Sequence, residues 1–175
     1  MILKELKIQT WIHEKTNCYI VFDEESKEIM VVDPAGDVDE IENLITDVFK
    51  GKLKYIYLTH CHADHIAGAQ ELKNKCGGKI LIHSIDAEGL KNPEINLSKY
   101  ISTYEIRLDA DSRVNDGDLL HLGSLEFVVL YTPRTYKRKH ISLLWKGKML
   151  IFWWYNFCWY VGKIRFTNIK QRWYY

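Results

Sequence analysis

The segment Tyr57-Leu58-Thr59-His60-Cys61-His62-Ala63-Asp64-His65-Ile66-Ala67-Gly68 constrains this chain more than any other. It gathers three imidazoles and a carboxylate within six residues, directly after the apolar run Leu53 to Leu58. Imidazole nitrogen and carboxylate oxygen are ligand types that suit zinc. In an extended segment alternate side chains face the same way, so His60 and His62 can reach one metal ion. The chain then turns toward a helix, from which Asp64 and His65 can point back to a second ion beside the first. Such a pair lowers the pKa of water toward ~7 and clamps the attacked carbonyl or phosphoryl oxygen. The chemistry expected is attack by metal-bound hydroxide, with Asp64 both ligating and orienting the nucleophile. Cys61, between ligands, is expected to face away and pack beneath the loop. His83 and His121, lone histidines in strand-like runs, are expected to be structural.

The rest of the chain frames this junction. Ile2 to Trp11, Asn17 to Asp23 and Glu28 to Val32 read as strands, the last stopping at the turn Asp33-Pro34-Ala35-Gly36. Asp37 and Glu40 have the spacing of a capping box. It opens a helix in which Val38, Ile41, Leu44, Ile45 and Val48 recur at helical spacing until Gly51. Asp64 to Lys75 reads as a second helix stopped by Gly77-Gly78, and Lys79 to His83 as a strand. Asp86 to Leu90 is expected to be a short helix ending before Pro93. Leu119 to Leu122, Leu125 to Tyr131, Ile141 to Trp145 and Met149 to Trp153 read as strands, with turns at Asn115-Asp116-Gly117-Asp118 and Lys146-Gly147-Lys148. Strands dominate and helices follow particular strands, so the class is α/β or α+β with layered sheets.

A length of 175 residues and an apolar share of 47% fit one folded domain spanning residues 1–175. The four cysteines, Cys18, Cys61, Cys76 and Cys158, include no Cys-x-x-Cys pair, which predicts reduced thiols in a cytoplasmic protein. The first ten residues alternate charged and apolar side chains, unlike a signal peptide. No run approaches the ~20 apolar residues that span a bilayer; Leu150 to Val161 is too short and Asn156 interrupts it. Neither membrane nor nucleic acid is expected as a partner, and oligomeric state is left open.

The histidine segment matches the His-x-His-x-Asp-His signature of metallo-β-lactamase fold hydrolases. Val32-Asp33-Pro34-Ala35-Gly36 resembles that family's Val-Asp-Pro-Gly turn near the active site, and Asn115-Asp116-Gly117-Asp118 its Asp-Gly-Asp turn. Tyr131-Thr132-Pro133 resembles the start of its Thr-Pro-Gly-His segment. The resemblance runs from Met1 to Pro133 and is similar to hydroxyacylglutathione hydrolases (glyoxalase II-like). It implies an αββα sandwich and a zinc-dependent hydrolase with one or two ions on His60, His62, Asp64 and His65. Asp64 is then the catalytic residue, and the substrate a small-molecule thioester or ester.

Residues 134–175 depart from that pattern. From Phe127 onward there is no Asp or Glu but there are ten Lys and Arg, and five of the six tryptophans follow residue 144. Where the family has Gly-His-Thr-x-Gly-Ser, this chain has Arg134-Thr135-Tyr136-Lys137-Arg138-Lys139-His140. Written as AGG ACA TAC AAA AGG AAG CAT, those seven codons shifted by one base read Gly-His-Thr-Lys-Gly-Ser. Gly162 to Thr167, written GGG AAG ATC AGA TTT ACC, likewise shifts to Gly-Arg-Ser-Asp-Leu. A frameshifted tail predicts loss of the third histidine, of the bridging aspartate expected near Ile151 to Trp154, and of the last histidine. It leaves the second ion loosely held and the closing half of the sandwich incomplete. The alternative functions are therefore a catalytically inactive fragment of such a hydrolase, or a basic, aromatic tail that contacts nucleic acid through phosphates and stacking.

Overall fold

The computed structural model describes residues 1–10, 15–133, 139–145 and 149–151. Its first sheet has six strands in sequence order: β1 (Ile2–Gln9), β2 (Lys15–Phe22), β3 (Glu28–Val32), β4 (Lys52–Leu58), β5 (Lys79–His83) and β6 (Ser112–Val114). β1, β2 and β3 pair antiparallel, whereas β3, β4, β5 and β6 run parallel. A second sheet, in the order β10-β9-β8-β7, is antiparallel throughout. It comprises β7 (Leu119–Leu122), β8 (Leu125–Pro133), β9 (Lys139–Trp145) and β10 (Met149–Ile151).

Parallel strands need crossovers, and here each crossover passes over one face of the first sheet. α1 (Val38–Asn43), continued by a π-helical turn over Leu44–Val48, joins β3 to β4. α2 (Ala63–Ile66) and α3 (Ala69–Cys76) join β4 to β5. A 3-10 turn (Ala87–Lys91) and α4 (Ser98–Ile101) lie between β5 and β6.

The central strands read as continuous apolar runs because both of their faces are buried. Ile29, Val31, Ile56, Leu58, Ile80 and Ile82 face the helices and meet Val38, Ile41, Ile66, Ala69 and Leu72. Met30, Val32, Tyr57 and Leu81 face the second sheet and meet Leu122, Leu125, Phe127 and Val129. Among the described residues, three layers are thereby in place: the helices, the first sheet and the second sheet.

Asp23 pins the two sheets together at one end. Its carboxylate accepts the N–H and hydroxyl of Ser26 (3.2 and 2.7 Å) and the N–H and hydroxyl of Ser124 (3.1 and 3.2 Å). Desolvation opposes ionisation there, but these four donors outweigh it and lower the Asp23 pKa to about 2.

Several local expectations are corrected. Asp37 does not form a capping box. Its backbone is left-handed (φ 48°), so its carbonyl, rather than its side chain, takes the Glu40 N–H at 3.0 Å. The first helix widens into a π turn that accompanies the stacking of Phe49 on Phe22 at 5.0 Å. The second helix is two pieces, broken at Ala67-Gly68, where the chain passes against Pro34: Gly68 N–H donates to the Pro34 carbonyl at 2.8 Å. Gly77 and Gly78, with φ of 76° and 85°, end α3 as their sequence predicts. β9 pairs with β8 from Phe127 to Pro133 and brings His140 opposite Thr132. Trp153 and the third histidine, bridging aspartate and last histidine positions lie outside the described residues or have no counterpart in the sequence.

Candidate metal centre

In a parallel sheet the loops after the carboxyl ends of the strands converge along one edge. Here that edge brings together the ends of β3, β4 and β5. β3 delivers Asp33, β4 delivers Thr59, His60 and the loop to α2, and β5 delivers His83.

Asp33 is the hinge of the arrangement. Its backbone is left-handed (φ 50°), a conformation that Asp tolerates better than most residues. Its N–H donates to the Tyr57 carbonyl at 3.0 Å, tying the β3 end to β4. The carboxylate, buried at 3% exposure, then faces the next loop. Oδ1 accepts the Thr59 N–H at 2.8 Å, and Oδ2 accepts both the Thr59 hydroxyl at 2.6 Å and His65 Nδ1 at 2.9 Å.

These bonds dictate the histidine tautomers. The Thr59 hydroxyl has one proton, and a carboxylate can only accept, so that proton goes to Asp33. The same oxygen must therefore accept from His60 Nδ1, 3.0 Å away. His60 thus carries its proton on Nδ1 and its lone pair on Nε2. His65, donating from Nδ1 to Asp33, likewise has its lone pair on Nε2 when neutral. That nitrogen faces Asp64, with Oδ2 at 3.5 Å. An outer carboxylate or hydroxyl that fixes the far nitrogen is the usual support of a ligating imidazole.

The rings close around His60. Its centroid is 4.5 Å from that of His62, edge-on, and 4.2 Å from that of His65. His60 and His65 are buried, while His62 and Asp64 are half-buried and open the cluster to one side. Burial pulls the His65 imidazole toward neutrality. The Asp33 charge, the hydrogen bond to it and the Asp64 charge outweigh that pull and raise its pKa above the ordinary value.

Asp33, His60 and His65 each offer a ligand atom within 4.8 Å of the others. The Asp33 oxygens already hold three donors, so its role is to orient His65 and, through Thr59, His60. Among the described residues the group that converges this closely does not include His62 or Asp64, the other residues expected from the sequence, although both lie beside it; the buried, oriented Nε2 lone pairs of His60 and His65 fit a borderline cation. Asp33 and Thr59 were not among the sequence candidates. The available signal was an acid at the end of an apolar strand, next to the strand that carries the histidines.

Other sequence candidates fall where their surroundings explain them. Cys61 is buried against Asp86, with Sγ 3.9 Å from Oδ1, and burial together with that carboxylate pushes its thiol up to about 12. It is thus a packed thiol, not an ionised ligand. His83 accepts the Ile85 N–H on Nδ1 at 3.3 Å and stacks on Tyr131 at 5.2 Å. His121 is exposed, opposite Glu126 across β7 and β8.

Comparison with known proteins agrees with this fold. Residues 12–136 match the family model for the metallo-beta-lactamase superfamily. An uncharacterized protein of Aquifex aeolicus is 31% identical over 119 residues, covering 67% of this chain and 54% of that protein. The hydroxyacylglutathione hydrolase GloC of Haemophilus influenzae is 25% identical over 146 residues, covering 78% of this chain and 64% of that protein. The chain thus spans between about half and two thirds of the length of these relatives. Among solved structures, the B3 metallo-beta-lactamase BLEG-1 superposes with a TM-score of 0.73 at 23% identity, over 85% of this chain and 70% of that one. ETHE1 from Myxococcus xanthus superposes with a TM-score of 0.59 at 22% identity, over 85% of this chain and 55% of that one. At such identities the superpositions show the fold, and the family match over residues 12–136 shows that the chain belongs to the metallo-beta-lactamase superfamily.

Proposed function

We propose that this chain is a zinc-dependent hydrolase that cleaves a small-molecule thioester or ester. The observation that carries the reading is the pair of buried imidazoles, His60 and His65, each held at Nδ1 by Thr59 or Asp33 so that Nε2 is the ligating nitrogen. His60, His62, Asp64 and His65 would hold the metal, one ion or two. When bound, such an ion supplies Lewis acidity and lowers the pKa of water. The protein's own part is orientation and proton traffic. Asp64 orients the attacking water through its carboxylate and accepts the water's proton as the oxygen bonds to the acyl carbon. The carbon–sulfur or carbon–oxygen bond then breaks, and the same carboxylate returns the proton to the leaving group. Asp33 and Thr59 keep the imidazoles still during this exchange.

Thioester cleavage is favoured over other hydrolyses by the hydroxyacylglutathione hydrolases among the relatives, in Haemophilus influenzae and Rhodopseudomonas palustris. Cys18, Cys61 and Cys76 are free thiols, in keeping with a reducing, cytoplasmic setting. No described helix is long and apolar enough to cross a membrane. The test is hydrolysis of an acyl-glutathione thioester by the zinc-loaded chain, followed by thiol release, with Asp64→Asn as the inactive comparison. Turnover lost in Asp64→Asn supports the reading; zinc-loaded protein with no turnover refutes it.

The second reading, an inactive fragment, is favoured by the tail that holds ten basic and no acidic residues after Leu125-Glu126. Sequencing the gene across codons 133–175 decides it. A one-base shift that restores Gly-His-Thr-Lys-Gly-Ser supports a frameshift, and an intact frame with other codons ends it.

A further inference from the structure

The segment between β5 and β6 grips the ligand loop from behind, and we infer that Asn96 and Gly89 within it are positioning residues for the metal centre. The inference rests on the metal-centre reading above and adds to it the device that sets the loop's geometry.

Asn96 is fully buried at 0% exposure. Its side-chain amide donates to the carbonyls of Leu90 (3.3 Å) and Ile106 (2.9 Å), and its Oδ1 accepts the Ser98 N–H at 2.9 Å. The Ser98 hydroxyl in turn accepts the Ile106 N–H at 2.9 Å. One side chain thereby closes residues 90 to 106 into a compact clasp with its buried polar groups satisfied. The clasp's hub also makes its polar contact with the ligand loop: the Asn96 carbonyl accepts the N–H of Ala63 at 2.8 Å. Ala63 lies between His62 and Asp64 and opens α2, where a backbone N–H has no carbonyl of its own helix to meet.

The second contact is steric. A Cβ built on Gly89 would lie 2.5 Å from Cys61 Sγ and 3.1 Å from Cys61 Cβ. Gly89 is not among the glycines of positive φ, so what it supplies is room for Cys61 and not an unusual backbone conformation. Cys61 lies between His60 and His62. The two contacts therefore fall on the residues that alternate with the ligands. Cys61 and Ala63, at 3% and 0% exposure, are held by the clasp while 60, 62 and 64 are left to the site. Displacing either contact shifts the imidazole and carboxylate donors relative to one another, which a metal site registers as lost affinity.

The test measures zinc affinity by competition against a chromophoric chelator, and the visible spectrum of the cobalt(II)-substituted chain. The variants are Asn96→Ala, Gly89→Ala and the double variant Gly89→Ala/Cys61→Ala. Leu53→Ala, at the far end of β4, serves as a destabilised control. Asn96→Ala and Gly89→Ala are expected to bind zinc roughly ten- to a hundred-fold more weakly and to alter the cobalt spectrum. Removing Sγ in the double variant relieves the 2.5 Å contact while those to Cys61 Cβ and Ile95 Cγ2, at 3.1 Å, remain, so affinity recovers in part, which separates loop placement from general loss of stability. Wild-type chain that binds zinc, with Asn96→Ala and Gly89→Ala within about twofold of it, overturns the inference and leaves the metal centre standing. The inference is equally overturned when Leu53→Ala weakens zinc as much as they do. A wild-type chain that binds no zinc overturns the metal-centre reading and this inference with it.

Discussion

Thr59→Val removes one hydroxyl from the site and little else. That hydroxyl, on a residue 3% exposed, donates to Asp33 Oδ2 at 2.6 Å and accepts from His60 Nδ1 at 3.0 Å. The backbone bond from Thr59 N–H to Asp33 Oδ1, at 2.8 Å, survives the change. Valine nearly matches threonine in volume, so no cavity adds to the cost. Losing a hydrogen bond to a buried carboxylate costs about 1.5–3 kcal/mol, and stranding the His60 N–H costs about 1 kcal/mol or more. The zinc-free chain should lose about 2–4 kcal/mol of stability in urea unfolding with chelator present. Zinc affinity should fall roughly ten- to a hundred-fold, because the His60 tautomer is no longer fixed. Thr59→Ser keeps the hydroxyl and should recover most of both quantities. A Val variant whose zinc affinity stays within about twofold of wild type refutes the relay, even when stability falls, since the hydroxyl would then be structural only.

Other expectations follow from single contacts. Gly68→Ala would set a Cβ 2.8 Å from the Pro34 carbonyl oxygen and 2.8 Å from Val38 Cγ2, and should destabilise by about 1–3 kcal/mol in thermal or urea unfolding. Tyr57→Phe should be neutral or stabilising by up to about 1–2 kcal/mol, because the Tyr57 hydroxyl is buried without a hydrogen-bond partner among the described residues; a marked loss of stability would show a partner. Asp23→Asn should cost roughly 1.5–3 kcal/mol near neutral pH by weakening the four bonds to Ser26 and Ser124. The Asp23 pKa is depressed from 3.8 to about 2, so its ionised carboxylate stabilises the fold above 3.8 and that contribution is lost as pH falls toward 2. Unfolding followed from pH 5 to pH 2 should therefore be less steep in Asp23→Asn; equal slopes would contradict the pin.

Much of this architecture is legible in the sequence because it rests on local periodicity. The stretches Ile29–Val32, Tyr55–Leu58 and Ile80–Ile82 within β3, β4 and β5 are apolar at successive positions, and burial on both faces demands that. Two members of the convergent group, His60 and His65, are equally plain, since both fall within six consecutive residues, whereas Asp33 comes from the end of another strand. What escapes the sequence depends on contacts between distant segments. The break at Ala67-Gly68 comes from Pro34, thirty-odd residues away, and helical spacing alone continues through it. Asp37 has the spacing of a cap, yet its left-handed backbone turns the side chain out of that role. Asp33 and Thr59 read as turn and strand-end residues until β3 and β4 lie side by side. Asn96 carries no signal in the sequence, because the carbonyls of Leu90 and Ile106 that it bonds are brought within reach only by the folded loop.

The central question is whether His60 and His65 grip a metal. Zinc added to the purified, chelator-stripped chain, with bound metal counted by elemental analysis after gel filtration, answers that directly. At least one zinc per chain should be retained, with His60→Ala and His65→Ala each retaining far less while still folded. A folded wild-type chain that emerges without zinc, or histidine variants that hold as much as wild type, would contradict the reading.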